Sequence, residues 1–303
     1  MTALTSGKVA VWIEGMTSNE VVSALTTTFS RRYLPDPYPG GDSPDILIDW
    51  SPGESLEVVE RRLAGRGEPD RYVVKAPPPA PYTAEASLFF VLQAVARAHA
   101  KKGYLLFTDS ISFSLNGEAH LVLGYPHGGK STVLAYAASK GAKALTTENT
   151  IVEVADDGTM YVVGGTDVLV ADPSALARYG VEPPWEPVGR TKHGYLIFNV
   201  REERISGVPV TDISLIHCSL VSSGVSYSRI RGRKVAKTLW HFAQALIKGL
   251  DYYDPHPLSL SDNEIDSLVA KKLGLIAKKY GSSFQEFFGA HDRVADEIMR
   301  SRT

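Results

Sequence analysis

The sequence predicts an α/β protein with a phosphate-binding loop (P-loop) at its centre, a mixed, β-rich sheet and flanking helices. The first observation is a glycine-rich loop at residues 124–131, which lies between an apolar segment and a segment of helix formers. The second is a pair of hairpin turns, at Asn116-Gly117 and at residues 155–158. The third is composition: 44% of the 303 residues are hydrophobic and 22% are charged, as in a soluble protein with a sizeable core.

Residues 1–81 are predicted to form a small α/β region, and residues 82–303 the P-loop core with C-terminal helices. In the first part strands are predicted at residues 8–13, 45–50 and 71–75, and helices from residue 18 and over residues 54–64. The division is placed at the run Ala-Pro-Pro-Pro-Ala-Pro at residues 76–81, because such a run cannot join a helix or a central strand. It predicts a stiff connector, and a proline ligand for a partner domain is the less favoured alternative.

The approach to the loop is predicted to be a hairpin. A long helix over residues 84–102 is followed by strands at residues 104–109 and 110–115. The Asn116-Gly117 turn then leads into an apolar strand at residues 119–123. The strand before the loop should therefore run antiparallel to the P-loop strand, whereas ordinary nucleotide-binding folds enter that strand from a parallel neighbour through a helix.

The loop reads Gly124-x-x-x-x-Gly129-Lys130-Ser131, which is the full P-loop pattern. Glycines let the backbone turn its N–H groups towards a phosphate, and the N-terminus of the following helix adds partial positive charge. Lys130 can reach the outer phosphates, and the Ser131 hydroxyl can bind Mg²⁺. The predicted nucleotide-binding residues are Gly124, Tyr125, Pro126, His127, Gly128, Gly129, Lys130, Ser131 and Thr132.

Beyond the helix of the loop, the chain is predicted to be β-rich and then helical. Strands are predicted at residues 141–148, 150–154, 160–163, 168–171, 194–200 and 213–221. Helices are predicted at residues 234–250, from a capping box at residues 261–264, and at residues 284–300. The aromatic residues Phe284, Phe287 and Phe288 are assigned to the packing of that last helix, because helical spacing alone explains them.

Phosphoryl transfer requires a carboxylate near the metal, and Glu148 is the leading candidate. It follows the first strand after the loop's helix, where it could bind Mg²⁺ together with Ser131 or act as general base. Asp109, where one strand passes into the next before the loop, is the second candidate, and a turn-forming aspartate explains it equally well. The predicted catalytic residues are therefore Glu148, Asp109 and Lys130.

Other polar clusters are weaker candidates. Arg229, Arg231 and Arg233 lie between a strand and a helix, and they predict either contact with the acceptor or the γ-phosphate, or a solvated basic loop. Asp156 and Asp157 form a carboxylate pair that a solvated turn explains better than catalysis does.

Composition and charge argue against several classes of partner. The formal net charge of −2 argues against a nucleic-acid binder that relies on bulk positive charge. The single cysteine, Cys218, excludes an intramolecular disulfide and a cysteine-only metal site, and its apolar surroundings predict a buried, inert thiol. Residues 1–15 lack a signal-peptide pattern and the longest apolar stretch, residues 88–95, is too short to span a bilayer, so a soluble cytoplasmic protein with no membrane partner is expected.

Residues 109–200 resemble the HPr kinase/phosphorylase superfamily, whose fold is related to that of phosphoenolpyruvate carboxykinase. The resemblance rests on the hairpin into the P-loop, on Gly-Ala-Lys-Ala-Leu-Thr-Thr-Glu-Asn-Thr-Ile-Val at residues 141–152, and on His-Gly-Tyr-Leu-Ile-Phe-Asn-Val at residues 193–200. It implies a P-loop core of that type and transfer of the γ-phosphate of ATP, with Mg²⁺, to a hydroxyl group. It also implies that Glu148 corresponds to the family's general acid/base.

Two positions depart from the family's pattern. The family's pair of aspartates falls on Thr147 and Glu148, so one carboxylate near the metal is missing. Its histidine before the loop falls on Asp109. The family's protein kinases act on a serine of a small carrier protein, and these departures argue against that specificity. Relatives that phosphorylate small hydroxylated metabolites, including free serine or threonine, are the better comparison.

Three hypotheses of function follow. The preferred one is an ATP-dependent phosphotransferase that acts on the hydroxyl of a small metabolite, with the donor (ATP, ADP or pyrophosphate) left open. The second is a protein serine kinase, which predicts a homo-oligomer and an exposed apolar docking surface on the C-terminal helices. The third is a nucleotide-binding regulatory module with weak ATPase activity, which the missing aspartate supports.

Overall fold

The computed structural model describes residues 1–201, 203–250 and 258–300. The chain folds into two units, the first of residues Met1–Leu106 and Ala243–Lys271 and the second of residues Phe107–Phe242 and Lys272–Thr303. The fold is mixed α/β, as predicted. The long helix that follows the proline run at residues 76–81 belongs to the first of these units.

The first unit is a sheet with helices. Its strands are β1 (Thr2–Ser6), β2 (Val9–Glu14), β3 (Tyr38–Pro39), β4 (Ile46–Ser51), β5 (Glu57–Arg62) and β6 (Asp70–Lys75), and its helices are α1 (Ser18–Leu25), α2 (Thr28–Arg31) and α3 (Glu85–Lys101). The strand order is β3-β1-β2-β4-β6-β5, with β2, β4 and β6 parallel to one another. Strand β7 (Tyr104–Phe107) crosses the division between the units.

The helix predicted at residues 54–64 was wrong, because this segment forms the edge strand β5. Val58 pairs with Val74 of β6, and adjacent β-branched residues such as Val58 and Val59 favour a strand. The other residues of β5 are charged, which is typical of an edge strand protected against further pairing.

A buried ionic cluster ties the first unit together. The fully buried guanidinium of Arg97 on α3 lies 3.0 Å from Asp70 Oδ2 and 2.7 Å from Asp262 Oδ2. Lys101 also binds Asp70, with Nζ 3.0 Å from Oδ1. Asp262 accepts a hydrogen bond from the Ile265 amide and so caps the helix predicted from residues 261–264.

The second unit contains the P-loop. Its strands are β8 (Ser110–Leu115), β9 (Glu118–Leu123), β10 (Lys143–Thr146), β11 (Thr150–Val154), β12 (Met160–Gly165), β13 (Val168–Ala171), β14 (Pro187–Arg190), β15 (Leu196–Asn199), β16 (Val208–Cys218), β17 (Val225–Arg229) and β18 (Gln285–Gly289). Its helices are α4 (Lys130–Ser139), α5 (Pro173–Arg178) and α8 (His291–Arg300), while α6 (Arg233–Gln244) and α7 (Asn263–Tyr280) cross the division. The larger sheet runs β10-β8-β9-β16-β12-β11, and β13, β15 and β14 form a small sheet.

The strand arrangement around the P-loop strand β9 is mixed. The predicted hairpin is confirmed: β8 and β9 are antiparallel, and Asn116 and Gly117 have the positive φ angles of 53° and 85° that a tight hairpin turn requires. On its other side β9 pairs with β16, which is parallel to it. Strand β18 pairs in parallel with the end of β16, so the carboxyl ends of β9, β16 and β18 lie at the same edge of the sheet.

The helix predicted at residues 284–300 was wrong in its first half, which forms β18. Only residues from His291 onwards are helical. The side chains of β18 alternate between faces, so Phe287 packs in the core around α4 while Phe288 is 43% exposed. The aromatic cluster therefore packs as a strand and not as a helix. No helix among the described residues is both long and apolar enough to cross a membrane.

The buried histidine His99 predicts a specific pH dependence of stability. Its Nδ1 donates to the Val95 carbonyl at 2.8 Å and its Nε2 accepts from the Lys8 amide at 3.1 Å, so the ring is neutral in the folded chain. Burial lowers the pKa of His99 to about 4. The unfolded chain binds a proton that the folded chain does not, so the free energy of unfolding should fall by about 3 kcal/mol as the pH drops from about 6.5 to 4.

Urea unfolding of the wild type and of His99→Gln between pH 7 and pH 4 measures this contribution. The variant is expected to be less stable at pH 7 and to have a shallower loss of stability on acidification. His193→Gln, at an exposed position, should keep the wild-type pH dependence. Equal pH slopes for the wild type and His99→Gln would contradict the prediction.

Candidate phosphate-binding site

The P-loop connects the end of β9 directly to the first residue of α4. His127 and Gly129 have positive φ angles of 61° and 92°, and the Gly128 amide donates to the Tyr125 carbonyl at 2.8 Å. Helix α4 then begins at Lys130, with the Val133 amide bonded to the Gly129 carbonyl. A tight loop with left-handed residues that opens a helix is the backbone arrangement that binds phosphate groups.

Two glycines of the loop are required by their close neighbours. A Cβ on Gly129 would lie 2.5 Å from Cys218 Cβ and 2.6 Å from His291 Nε2. A Cβ on Gly128 would lie 2.9 Å from the Tyr125 carbonyl oxygen. The loop is thus packed closely against the end of β16 and the start of α8, which holds its backbone in place.

Lys130 is buried and its ammonium group has three oxygen partners. Only 5% of the residue is exposed. Its Nζ lies 3.0 Å from Asp109 Oδ1, 2.6 Å from the Gly124 carbonyl oxygen and 3.3 Å from the Tyr125 carbonyl oxygen. The structure thus brings together two of the predicted catalytic residues, Lys130 and Asp109.

Asp109 lies at the junction that positions it beside the loop. It has a positive φ of 49°, immediately before β8, and its carbonyl accepts from the Gly124 amide at 3.1 Å. Asp109 therefore both forms the turn and lies beside the loop, because the turn directs its carboxylate towards Lys130.

Glu148, the third predicted catalytic residue, is half-buried just beyond β10. Its carbonyl accepts from the Ser110 amide at 2.9 Å, so its backbone lies beside the residue that follows Asp109. Its own amide donates to Thr166 Oγ1 at 2.8 Å. Thr147, where the resembled family has an aspartate, is buried and its hydroxyl donates to the same Thr166 oxygen.

The two predicted metal ligands, Ser131 and Glu148, are of the chemistry that Mg²⁺ prefers. Both supply oxygen atoms, and both are half-buried in the structure. Within the described ranges no group of three or more His, Cys, Asp and Glu side chains is arranged to hold a metal ion. Mg²⁺ usually takes one or two protein oxygens together with phosphate oxygens and water, so a donor set of this size suits it.

Sequence reasoning missed a second polar group at the same edge of the sheet. His217, near the end of β16, donates from Nε2 to Glu286 Oε1 of β18 at 3.1 Å, and Lys234 forms an ion pair with the other oxygen of Glu286. The ring of Phe288 stacks on His217, with centroids 4.7 Å apart and planes 9° apart. Tyr125 of the loop lies 6.2 Å from the His217 ring, so this group adjoins the P-loop.

His291 was also missed, and it lies behind the loop. His291 is only 5% exposed, and burial lowers the pKa of its ring. Its Nδ1 lies 3.2 Å from the Tyr179 hydroxyl. The neutral ring fills the space beside Gly129. A correct prediction of β18 as a strand would have identified His217 and His291 as candidates, because such sheets bind ligands at the carboxyl ends of their parallel strands.

The other predicted polar residues take structural or exposed positions. Burial raises the pKa of Cys218 to about 12, so its thiol stays protonated at neutral pH, and its amide donates to the Gly128 carbonyl. Asp157 accepts from the amide and hydroxyl of Thr159 in an exposed hairpin turn. The basic cluster is exposed at Arg229, Arg231, Arg233 and Lys234.

Comparison with known proteins adds no assignment. No protein-family model matches the chain. A search of curated proteins found no match either.

The packing of Gly129 can be tested by substitution with alanine. Gly117 has a similar φ of +85° and open space around it, so Gly117→Ala isolates the cost of the left-handed backbone, about 1–2 kcal/mol. Gly129→Ala adds overlap with Cys218 and His291, for a further loss of about 1–3 kcal/mol. Denaturant unfolding of the two variants gives the difference. Equal losses of stability would mean that the loop does not pack against His291.

Proposed function

We propose that the protein is an ATP-dependent phosphotransferase that moves the γ-phosphate to the hydroxyl of a small metabolite. The observation that carries the proposal is the ammonium group of Lys130, which lies on a glycine loop at the start of α4, 3.0 Å from the carboxylate of Asp109. Cationic neutralisation by a lysine beside backbone amides is what phosphoryl transfer asks of a protein.

Lys130 exchanges partners when a nucleotide binds. Its present partners are two backbone carbonyls and Asp109, which together satisfy its three N–H groups. Phosphate oxygens replace some of these partners, and the charge of Lys130 then offsets the charge that builds on the transferring group. Asp109, freed in part from Lys130, and Glu148 are the two carboxylates on this side of the loop that can accept a proton.

Ser131 and Glu148 would hold Mg²⁺ at this site. When bound, the ion would supply positive charge that offsets the charge of the transferring phosphate. The chain's own contribution is to position the two residues. Ser131 lies in the first turn of α4, and the backbone of Glu148 is held by the hydrogen bond from its amide to Thr166 Oγ1. The resemblance to the HPr kinase/phosphorylase superfamily implies a different role for Glu148, that of the general acid/base.

A protein substrate is a second candidate acceptor, supported by exposed apolar residues. Val221 is 92% exposed, Tyr227 61% and Phe288 43%, and they belong to the segments that follow β16 and form β17 and β18. This surface lies on the edge of the sheet and not on the C-terminal helices, where a docking surface was expected. Transfer of labelled phosphate to a protein, with none to small hydroxyl compounds, would favour this candidate.

A nucleotide-binding regulatory module is the third candidate. It is supported by Thr147, whose hydroxyl is bound to Thr166 where the resembled family has a carboxylate. Hydrolysis of ATP that no added hydroxyl compound accelerates would favour it over both kinases.

Removal of the Lys130 ammonium should weaken nucleotide binding. Lys130→Met keeps the length of the side chain, and the affinity for a non-hydrolysable ATP analogue with Mg²⁺ should fall at least about tenfold, because a charge-assisted contact to phosphate is lost. Isothermal titration calorimetry measures the change. Lys140→Met, at an exposed position at the end of the same helix, is the matched control and should bind as the wild type does. Unchanged affinity in Lys130→Met would exclude the phosphate site.

Glu148→Gln should abolish turnover while nucleotide binding remains. We expect a fall in phosphate transfer of about 10²–10⁴, the usual range for loss of an acid/base group, because the amide can neither take a proton nor carry negative charge to Mg²⁺. A screen of hydroxylated metabolites with ATP, ADP and pyrophosphate as donors provides the assay. Glu153→Gln, at an exposed position on β11, is the control. Normal turnover in Glu148→Gln would refute its catalytic assignment.

A further inference from the structure

We propose that His217, oriented by Glu286, receives the acceptor hydroxyl: its Nδ1 accepts the hydrogen bond of that hydroxyl and then its proton. This inference rests on the proposed function and assigns the acceptor side of the same site. No sequence motif pointed to either residue, and the pairing of β16 with β18 brings them together.

His217 lies next to the phosphate loop because β16 is the parallel neighbour of β9. Leu215 pairs with Leu123 at the end of the ladder, so two residues further along each chain His217 is level with Tyr125, the second residue of the loop. In open α/β sheets ligands bind at the carboxyl ends of parallel strands, at the point where a crossover lies between neighbours. The imidazole therefore lies at the edge of the sheet where the phosphate end of a bound nucleotide is expected.

The contacts of His217 define its tautomer. The carboxylate of Glu286 can only accept, so the 3.1 Å contact requires a proton on Nε2, and in the neutral imidazole the lone pair is then on Nδ1. This contact is the one hydrogen bond of the His217 side chain within the described part of the chain. A third of the His217 side chain is exposed (33%), while that of Glu286 is 8% exposed, so a ligand can reach the imidazole but not its partner.

The ring of His217 is held in place by its neighbours. Phe288 is its register partner on β18 and stacks on it with nearly parallel planes. Lys234 forms an ion pair with Glu286 and so places a cation beside that buried carboxylate. A general base fixed by a carboxylate on its far nitrogen is the arrangement that activates hydroxyl groups on many unrelated folds.

The two carboxylates on the other side of the loop are less suited to take the proton. Asp109 is already paired with the ammonium of Lys130, 3.0 Å away. Glu148 is the proposed metal ligand, so its oxygens would be engaged by Mg²⁺. Imidazole is the side chain that most often takes and gives protons in catalysis.

The step balances without any further reactant. The acceptor oxygen forms a bond to the γ-phosphorus as the bond from that phosphorus to the β,γ-bridging oxygen of ATP breaks. The hydroxyl proton moves to Nδ1 of His217 and gives an imidazolium ion, which Glu286 stabilises through Nε2. ADP leaves with the electron pair of the broken bond.

Three variants test the assignment by phosphate transfer from ATP and Mg²⁺ to L-serine, L-threonine and glycerol. His217→Gln should lower kcat about 10²–10⁴-fold, with the affinity for a non-hydrolysable ATP analogue within twofold of the wild type. Glu286→Gln should lower kcat at unchanged nucleotide affinity, because its amide favours the wrong tautomer of His217, and Glu286→Asp should restore part of the rate. His193→Gln, at an exposed position, should match the wild type.

A second readout does not depend on the identity of the acceptor. ¹⁵N-histidine NMR with ADP, Mg²⁺ and aluminium fluoride, a mimic of the transferring phosphoryl group, should shift the ring signals of His217 and leave those of His193 unchanged. The His217 signals are assigned by their loss in His217→Gln. Wild-type kcat in His217→Gln, or unshifted His217 signals in a protein that binds the analogue, would overturn the proposal.

The outcomes also separate this proposal from the proposed function. A wild-type protein that fails to bind the ATP analogue refutes the proposed function, and the role of His217 falls with it. Analogue binding and a shifted His217 signal without transfer to any of the three compounds would support the role of His217 and refute L-serine, L-threonine and glycerol as acceptors.

Discussion

The parallel pairing of β16 with β9 is the constraint on which the site depends. It carries the end of β16 past the P-loop, where the Cys218 amide donates to the Gly128 carbonyl and the Cβ of Cys218 leaves no room for a side chain at Gly129. Because β18 pairs with the same end of β16, helix α8 starts beside the loop and places His291 behind Gly129. The conformation of the loop is therefore determined by strands far from it in sequence.

The contacts of Lys130 explain how its ammonium group can be buried. Burying an ammonium group costs free energy unless the group is paired and hydrogen-bonded, and Nζ has three oxygen partners at 2.6–3.3 Å. In the proposed function, phosphate oxygens replace some of these partners, so that the charge stays paired. The antiparallel hairpin contributes directly, because it places Asp109 at the level of Gly124.

Local chemistry made the loop and its hairpin predictable, whereas long-range pairing made half of the site unpredictable. The Gly-Lys-Ser pattern and the Asn116-Gly117 turn each act within a few residues, so they can be read directly from the sequence. The sequence predicts a helix at β18 because the spacing of apolar residues in this five-residue segment fits both the helical and the strand period. Its strand conformation depends on pairing with β16, some 70 residues earlier along the chain, and therefore Glu286 could not be connected with His217. The helix predicted at β5 was wrong for a similar reason. An edge strand whose only apolar residues are Val58 and Val59 has too few buried positions to show the strand period.

The charges are separated on the two sides of the loop. On the β8 side the carboxylate of Asp109 balances the charge of Lys130, and the proposed metal ligand Glu148 follows β10, the other neighbour of β8. On the β16 side the carboxylate of Glu286 is already neutralised by Lys234, so it presents no net negative charge to an incoming phosphate. An imidazole on that side can accept a proton without repelling the donor nucleotide, which a third free carboxylate would do. Two carboxylates of the proposed site, those of Asp109 and Glu286, are thus paired with the cations of Lys130 and Lys234, which suits a highly charged anion such as ATP although the chain has a net charge of −2.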